Sequence, residues 1–467
     1  MSTPEIEARS TAQVAALVSD DSFDVPTVPP SLYRDVSFWG LTVTQFLGAF
    51  NDNLFKQIVL LMSIAAGGAV AAEATDEQWL PMLVFAAPFL AFTGYAGYLS
   101  DKFGKRGIII LCKVAEIVVM ALAGLGFYIY WTTGSLVFVY FVLFLMGAQS
   151  AFFGPGKYGT LPEMLREQDL PRANGFILML TFLAIIFGTG LAGALLADGR
   201  LWLATTACVA IAVIGTATSL LIRRLPPAHP NLRFQWSALT VPPDMREMLA
   251  RDRPLLAALT VSSVFWLLAG MVPSAVNALG KIELRVGDFP TSIMAACIGV
   301  GIALGCVIGG LVSKGEVDFR LLRIGIVGML VCLAIVGIPA SGDIAALADA
   351  DGKLTRMPGL GESRQWLGFY GSLPVMLLLG AFTGLFAVPL QVFMQSRPPK
   401  DKKGRMIAVM NQANWVGVLV SAVLYLALAR LVETFDWPRC TMFLFIAAMT
   451  LPIALFYHPT HQSLSEH

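Results

Sequence analysis

The first long apolar run of the chain, residues 37–66, reads SFWGLTVTQFLGAFNDNLFKQIVLLMSIAA. Outside one polar block, the run is apolar for longer than the ~20 residues that cross a bilayer core as a helix. With a rise of about 1.5 Å per residue from a start near Phe38, Asp52 would lie about 21 Å into the membrane, past its middle. A carboxylate at that depth costs at least ~2.5 kcal/mol, so we expect Asp52 to face a watery or protein-lined cavity.

The polar block of this predicted helix has two interpretations. It consists of Asn51, Asp52, Asn53, Lys56 and Gln57. Lys56 lies one helical turn beyond Asp52, so the two charges could simply neutralise each other as a structural i,i+4 pair. The block contains more polar residues than one such pair needs, and ionisable groups within the membrane usually mark a pathway. We therefore take all five as candidate substrate-binding residues on a cavity wall.

Composition indicates an integral membrane protein. The 467 residues are 56% hydrophobic and 13% charged, whereas roughly 25% of residues are charged in soluble domains. Apolar segments of helical length recur, and the alternating segments of about ten residues that build membrane barrels do not occur, so we predict an all-α fold. The net charge of +1 gives no indication of a nucleic-acid partner.

The cysteines and the first residues carry little functional information. All six cysteines lie within or at the edge of apolar segments, without a CxxC pair or a nearby histidine cluster. We expect no disulfide, no metal site and no cofactor. Residues 1–36 are polar and acidic, with no basic segment leading into a short apolar core. They predict a disordered cytoplasmic tail and no cleaved signal peptide.

The apolar runs predict twelve transmembrane helices, centred near residues 50, 88, 118, 143, 186, 211, 267, 301, 330, 380, 417 and 447. Lys and Arg number about 22 in the tail and loops of one side and about 8 on the other, which places both termini in the cytoplasm. The longest basic connection divides the helices six and six. The predicted units are a tail (1–36), an N-terminal bundle (37–222), a linker (223–254), a C-terminal bundle (255–457) and a second tail (458–467).

Two loops indicate that the halves are related. One runs from Phe153 through GPGKYGTLPEMLREQDLP to Arg172, and the other from Phe386 through AVPLQVFMQSRPPKDKKG to Arg405. Each has a Phe, a Pro-containing turn, a polar stretch and an Arg that opens the next helix, at equal spacing. A parallel repeat of two six-helix bundles is how major facilitator transporters are built. We assign gating roles to Lys157, Arg172 and Arg405 in these loops.

The connection after the second helix, Gly97-YLSDKFGK-Arg106, matches the G-x-L-x-D-x-x-G-[RK]-[RK] signature of major facilitator transporters. Gly97 would let a neighbouring helix approach, and Asp101 would sit at the positive N-terminal end of another helix. Lys105 and Arg106, which follow Gly104, would anchor the cytoplasmic face. The alternative is an ordinary charged turn. The corresponding segment after the eighth helix, GGLVSKGEVDFR, lacks the matching acidic residue.

Further polar and small residues lie within the predicted helices. Lys113 and Glu116 are three apart and so share one face of the third helix, where they either neutralise each other or join Asp52 in one cavity. Asn411 could bind substrate or join helices. Glycines at 188, 190 and 193 and at 301, 305 and 309 could let helices five and eight slide and open sideways, or could serve static packing.

Together these segments resemble the bacterial lysophospholipid transporter family over residues 38–456. The resemblance rests on FLGAFNDNLFK, GYLSDKFGKR, the Lys113–Glu116 pair, FFGPGKYGTLPEML with RANG, and GLFAVPLQVFMQ. It implies a flippase that moves lysophospholipids, chiefly lysophosphatidylethanolamine, to the cytoplasmic leaflet of the inner membrane, where a separate acyltransferase repairs them. It also implies a functional role for Asp52, with Asn53 beside it, and places Lys113 and Lys157 on family positions.

The chain departs from the family in two respects. Residues 262–276, SSVFWLLAGMVPSAV, lack the charged residues expected at the substrate site, so the preferred headgroup is not predicted. Some members are fused to an acyltransferase, but none of the four histidines here begins an H-x-x-x-x-D motif. Any acyltransferase would therefore be another chain.

Three interpretations of function remain at this stage. The first is a monomeric lysophospholipid flippase of the inner membrane that works by alternating access. The second is a major facilitator transporter of a small polar or drug-like solute. The third, a membrane-embedded acyltransferase, lacks a catalytic motif, so we predict a transporter and not an enzyme.

The charge asymmetry of the loops generates a test of topology. In a cysteine-free background, we expect Lys402→Cys to resist an impermeant thiol reagent added to intact cells, because Lys and Arg concentrate on the cytoplasmic side. Asp351→Cys, in the predicted outer loop 341–368, is the control and should react. Labelling of Lys402→Cys in intact cells would reverse the predicted orientation.

Overall fold

A computed structural model describes residues 30–65, 75–166, 169–197, 199–227, 230–231, 241, 243–312, 319–349, 354–399 and 403–457. Within these ranges, twelve long helices follow one another. They are α1 (Val36–Met62), α2 (Trp79–Lys102), α3 (Lys105–Thr133), α4 (Val137–Met164), α5 (Leu170–Ala197), α6 (Leu201–Ser219), α7 (Arg253–Ala278), α8 (Asp288–Val312), α9 (Phe319–Val336), α10 (Gly368–Ser396), α11 (Lys403–Thr434) and α12 (Thr441–Phe456).

The prediction of an all-helical membrane protein is confirmed, and every predicted centre falls inside one of these helices. Ten helices of the described chain are long and apolar enough to cross a membrane. The other two are α1, which carries the polar block, and α12, which is a shorter apolar helix of 16 residues.

The structure also contains short elements that the apolar runs did not predict. Ile64–Ala65 and Thr75–Asp76 form a two-stranded antiparallel pair, β1 and β2, in which Ile64 pairs with Asp76. Pro243–Arg251 is a short linker helix that buries Met245 and Leu249. The last turn of α7 continues as a π-helix, Leu279–Glu283. These elements are too short for apolar periodicity to reveal.

The helix starts follow from capping. Asp35 precedes α1, and its Oδ1 accepts hydrogen bonds from the backbone N–H groups of Ser37 (2.9 Å) and Phe38 (3.2 Å). Arg223, just beyond α6, pairs with the same carboxylate. Asp252 caps α7 in the same way through Leu255 and also binds Arg397 Nε at 2.6 Å. Carboxylates suit these positions because the first N–H groups of a helix lack internal partners.

The helices form two six-helix bundles. One cluster of buried apolar residues draws only on residues between 245 and 453, and two others draw only on residues between 32 and 225. The bundles meet where α5 packs against α8 and where α2 packs against α11. We call the membrane face that contains the α2–α3 turn and the linker helix the linker end. The opposite face, which contains residues 63–65, 75–78 and 279–287, is the far end.

The glycine run of α8 packs against α10 of its own bundle, as in the second of the two roles considered for it, static packing. A Cβ atom on Gly301 would meet the carbonyl of Leu377, and one on Gly305 would meet the carbonyl of Ala381, both on α10. Gly380 of α10 packs in return against the carbonyl of Ile298. The α5–α8 contact uses Gly193 of α5 beside Ser292 of α8 instead. Glycine spacing indicates that a helix can be approached closely, but not which neighbour approaches it.

This packing predicts a sharp difference between two glycines of one helix. We expect Gly305→Ala to lower the melting temperature of the purified protein, because the new methyl group must displace the α10 backbone at a cost of about 1–3 kcal/mol. Gly309→Ala is the matched control, since its Cβ would meet the nearest side-chain atom, Cβ of Val388, at 3.7 Å. Equal melting temperatures for the two variants would contradict the observed helix contact.

Candidate functional site

The polar block of α1 divides into buried and accessible residues. Asn51 and Gln57 are buried, whereas Asp52, Asn53 and Lys56 are partly exposed inside the bundle. Since α1 is a continuous helix through the block, its residues point in different directions around the axis. The accessible side chains are therefore the ones that a substrate could reach directly.

Lys113 and Glu116 of α3 form a buried ion pair, with 1% of each side chain exposed. Asn51 Nδ2 donates a hydrogen bond to Glu116 Oε1 at 2.9 Å and another to the carbonyl of Cys208 at 3.2 Å. The Lys113 side chain lies against Gly48 of α1 and Gly215 of α6, where an added Cβ would stand 3.1 Å from Nζ. The pair is thus enclosed by α1, α3 and α6.

A series of close polar contacts leads from this ion pair to Asp52. Gln149 Nε2 of α4 lies 3.4 Å from Glu116 Oε2. The hydroxyl of Ser150 is 3.0 Å from Gln149 Oε1 and 2.6 Å from Asp52 Oδ2. A serine hydroxyl has a single proton, and the shorter distance favours donation to Asp52. Lys113 and Glu116 therefore neutralise each other in an enclosed pair, and polar contacts through Gln149 and Ser150 lead from this pair towards Asp52.

Lys56 is held apart from Asp52. Its Nζ donates to Asn53 Oδ1 at 3.2 Å and lies 5.2 Å from the centre of the Phe85 ring on α2. Asp52 and Lys56 do not approach within ion-pair distance of each other among the described contacts. The structural i,i+4 ion pair is therefore not formed. Asp52 and Lys56 lie one turn apart, and each could contact a substrate.

The last residue of the block, Gln57, belongs to a polar network that joins the two bundles at the far end. Gln57 Nε2 donates to Asn277 Oδ1 of α7 at 2.9 Å, and Asn277 Nδ2 donates to Gln78 Oε1 at 2.9 Å. Gln78 lies just before α2, and its amide contacts Asp76 Oδ1 at 3.1 Å and the Tyr425 hydroxyl of α11 at 3.1 Å. We call these five residues the far-end lock.

Asp76 and Tyr425 form the centre of the far-end lock. Tyr425 donates to Asp76 Oδ2 at 2.5 Å, and both side chains are buried. The pKa of the Asp76 carboxyl is raised above its ordinary value because the group is buried. Hydrogen bonds from Tyr425 and Gln78 offset part of this rise. Sequence reasoning missed Asn277, Gln78, Asp76 and Tyr425. The available signal was the amide of Asn277 near the end of an apolar helix.

Charged side chains also join the two bundles at the far end. Lys281 Nζ donates to the carbonyl of Leu61 at 2.9 Å and pairs with Asp288 at 2.8 Å. Arg430 of α11 pairs with Glu77 at 3.0 Å across the bundles. In this structure the bundles are therefore joined at the far end.

The signature loop lies at the linker end and differs from expectation at Gly97. Gly97 faces open space, with no atom within 4 Å of an added Cβ, so no helix approaches it in this structure. Lys105, predicted to anchor the cytoplasmic face, is 4% exposed, pairs with Glu163 of α4 and packs on Gly159. Its position at the start of α3, directly after Gly104, turns the side chain into the bundle. Arg106 donates to the carbonyl of Leu220 at 3.1 Å, and Asp101 is exposed.

The remaining candidates take no part in the described contacts of the Asp52 network. Lys157 is partly exposed on α4, and Asn411 is partly exposed on α11, one turn from Trp415. Trp415 stacks on Phe89 of α2, with ring centres 3.8 Å apart. Arg172 and Arg405 fall within α5 and α11, but their side chains lie outside the described part of the chain, as does Lys402. No His, Cys, Asp or Glu cluster suited to a metal occurs among the described residues.

Comparison with known families agrees with this architecture. The sequence profile described as Major Facilitator Superfamily matches residues 41–422, which is most of the chain. The chain belongs to this superfamily. It is therefore a membrane transporter and not an enzyme. The signature loop, the two bundles and the central polar network are features of a secondary transporter of this class.

Named relatives are lysophospholipid transporters. The lysophospholipid transporter LplT of Serratia proteamaculans is 24% identical over 408 residues, covering 86% of this chain and 90% of that protein. The LplT protein of Klebsiella pneumoniae is 27% identical over 406 residues, covering 85% and 89%. The resemblance found in the sequence motifs is thus confirmed.

Solved transporter structures share the fold. A POT family transporter in complex with 5-aminolevulinic acid superimposes with a TM-score of 0.69 at 12% identity, covering 90% of this chain and 95% of that one. A nucleoside transporter superimposes with a TM-score of 0.60 at 14% identity, covering 89% and 98%. At these identities the likeness concerns the fold.

The buried ion pair generates a double-mutant test. We expect Lys113→Met and Glu116→Gln each to lower the thermal stability of purified protein strongly, since an unpaired buried charge costs about 3–5 kcal/mol. The double variant should recover part of the loss, because neither charge remains. Arg251→Met with Glu247→Gln is the control, since that pair is 80% and 64% exposed and worth about 0–1 kcal/mol. Additive losses at Lys113 and Glu116 would contradict direct pairing.

Proposed function

We propose that this transporter flips lysophospholipids across the inner membrane towards the cytoplasmic leaflet by alternating access. The observation that carries the proposal is the pair of separated, partly exposed charges, Asp52 and Lys56, one turn apart on α1. A lysophosphatidylethanolamine headgroup carries one ammonium and one phosphate. Opposite charges at this spacing complement it, and both lie in a helix that lipid and protein surround.

Each headgroup charge has a partner in this proposal. Asp52 accepts the ammonium, with Ser150 holding the carboxylate in place, and Lys56 meets the phosphate, with Asn53 at its side. Lys113 is poorly placed to bind the phosphate, because its side chain is enclosed and paired with Glu116. We assign Lys113, Glu116 and Asn51 to positioning α1, so that Asp52 faces the pathway. Gln57 belongs to the far-end lock, and Asn411 lies one turn from Trp415, which stacks on Phe89 of α2.

The single acyl chain would leave the bundle between α5 and α8. Two glycine contacts between these helices, Ile186 with Gly299 and Gly193 with Ser292, lie in their far-end halves. The far-end lock joins the bundles on the same side. A separation of the linker-end halves would admit a headgroup to Asp52 while the chain stays in lipid. A soluble solute needs no such lateral opening.

The cellular setting of the proposal follows from the charge distribution and from the relatives. Both termini and the signature loop would face the cytoplasm, since Lys and Arg concentrate there. The names of the bacterial relatives support lysophospholipid as the substrate class. The product would be available to a separate acyltransferase in the cytoplasmic leaflet. We propose a monomer, because each bundle carries its own apolar core and the two cover each other.

Transport by purified protein tests the proposal. In proteoliposomes containing fluorescent lysophosphatidylethanolamine, we expect wild-type protein to move lipid between leaflets, measured as the fraction that albumin extracts from outside. Asp52→Asn and Lys56→Gln should each slow the initial rate about tenfold or more, because each removes a charge-assisted contact worth about 1.5–3 kcal/mol. Parallel measurements with an imposed proton or sodium gradient show whether either ion is coupled to transport.

The controls separate a site effect from a general loss of charge. Glu247→Gln and Arg251→Gln alter exposed charges of the linker helix and should leave the rate unchanged. Wild-type protein that moves no lysolipid under any gradient, yet takes up a soluble solute, would favour the second candidate function. An Asp52→Asn variant as active as wild type would remove the proposed headgroup site.

A further inference from the structure

A groove on the membrane-facing surface lies between α9 and α10, near the linker end. Its volume is about 490 Å³, within the range of small-ligand sites. The lining residues are Arg320, Arg323, Ile324, Val327, Gly328 and Phe382. Ile324 and Val327 expose 52% and 45% of their surface, although both belong to a helix that crosses the membrane. The groove therefore faces the lipid and not the central pathway.

The sequence of α9 creates this groove by its spacing. Its lining residues recur every three or four positions from 320 to 328 and so fall on one helical face. The two arginines lie within the first turns of α9, at the membrane boundary, and the apolar residues lie one or two turns deeper. Gly328 forms the base, because a Cβ there would meet the Phe382 ring of α10.

Two arginines stand at the membrane boundary beside an apolar, lipid-exposed groove. An arginine facing hydrocarbon is costly unless it reaches the interface or an anion. Arg320 and Arg323 are both exposed, and the described part of the chain supplies no ion-pair partner for Arg323. A guanidinium presents a planar set of donors that matches a phosphate.

We propose that this groove binds an anionic diacyl phospholipid of the leaflet at the linker end. The phosphate contacts Arg320 and Arg323, and one acyl chain lies along Ile324 and Val327 towards Phe382. Basic pockets between membrane helices are the usual binding places of anionic headgroups. The site is separate from Asp52, since α9 contributes nothing to that network, and the ligand is a bilayer lipid rather than the transported molecule.

Native mass spectrometry of the purified full-length protein tests this site. The probes are phosphatidylglycerol and phosphatidylcholine with identical acyl chains. We expect wild type to retain phosphatidylglycerol preferentially, and the Arg320→Gln/Arg323→Gln variant to retain about fivefold less of it or lower. Val327→Phe keeps both arginines but fills the groove, and it should reduce retention as well. Both variants change exposed side chains, so folding should be preserved.

The control removes the same charge at the same end of the protein. Arg224 and Arg253 are exposed there, and Arg224→Gln/Arg253→Gln should retain phosphatidylglycerol as wild type does. Equal loss in this control would show diffuse attraction and overturn the site. Equal retention of the two lipids by wild type would overturn the anionic preference, and full retention by Val327→Phe would overturn the role of the groove. None of these outcomes depends on lysophospholipid transport.

Discussion

The buried ion pair between Lys113 and Glu116 is the interaction on which the N-terminal bundle depends. Neither charge reaches water, so protein groups must compensate both of them. Asn51 of α1 and Gln149 of α4 provide polar contacts to Glu116. Gly215 lets α6 pack closely against the aliphatic part of the Lys113 side chain. One pair on α3 therefore sets the rotation of α1 about its axis, which determines that Asp52 stays accessible while its neighbour Asn51 does not.

The far-end lock illustrates a second physical choice. Gln57, Asn277 and Gln78 are neutral amides, and each neutral hydrogen bond contributes only about 0.5–1.5 kcal/mol net. The hydrogen bonds among these amides can be exchanged for water without stranding a charge, and the buried carboxylate of the lock, Asp76, also contacts Gln78 of its own bundle. An alternating-access protein needs two states of similar free energy, because a ligand can shift a population only by its differential affinity. Weak, numerous contacts suit that requirement better than one strong buried pair would.

The sequence was sufficient for the features that the membrane itself imposes. Bilayer thickness fixes helix length, so all twelve helix positions followed from apolar runs, and a spacing of three put Lys113 and Glu116 on one face. It was insufficient where partners come from distant segments. Nothing local predicts that Tyr425 meets Asp76, that Gly301 approaches α10, or that Lys105 turns inward to Glu163. Neutral or small side chains carry no strong energetic signature, and their contacts depend on how the bundles are placed.

The interlocked glycines of α8 and α10 have a mechanical consequence. At Gly301, Gly305 and Gly380 the backbones of the two helices touch without intervening side chains, so the pair should move as one rigid unit. With 25 residues, α8 is about 37 Å long. If this unit pivots at the far end, a rotation of about 10° carries its other tip through about 6 Å, which is typical of rigid-body transitions. In this motion a small displacement at the far end becomes a displacement of several ångströms at the linker end, where a lipid headgroup would enter.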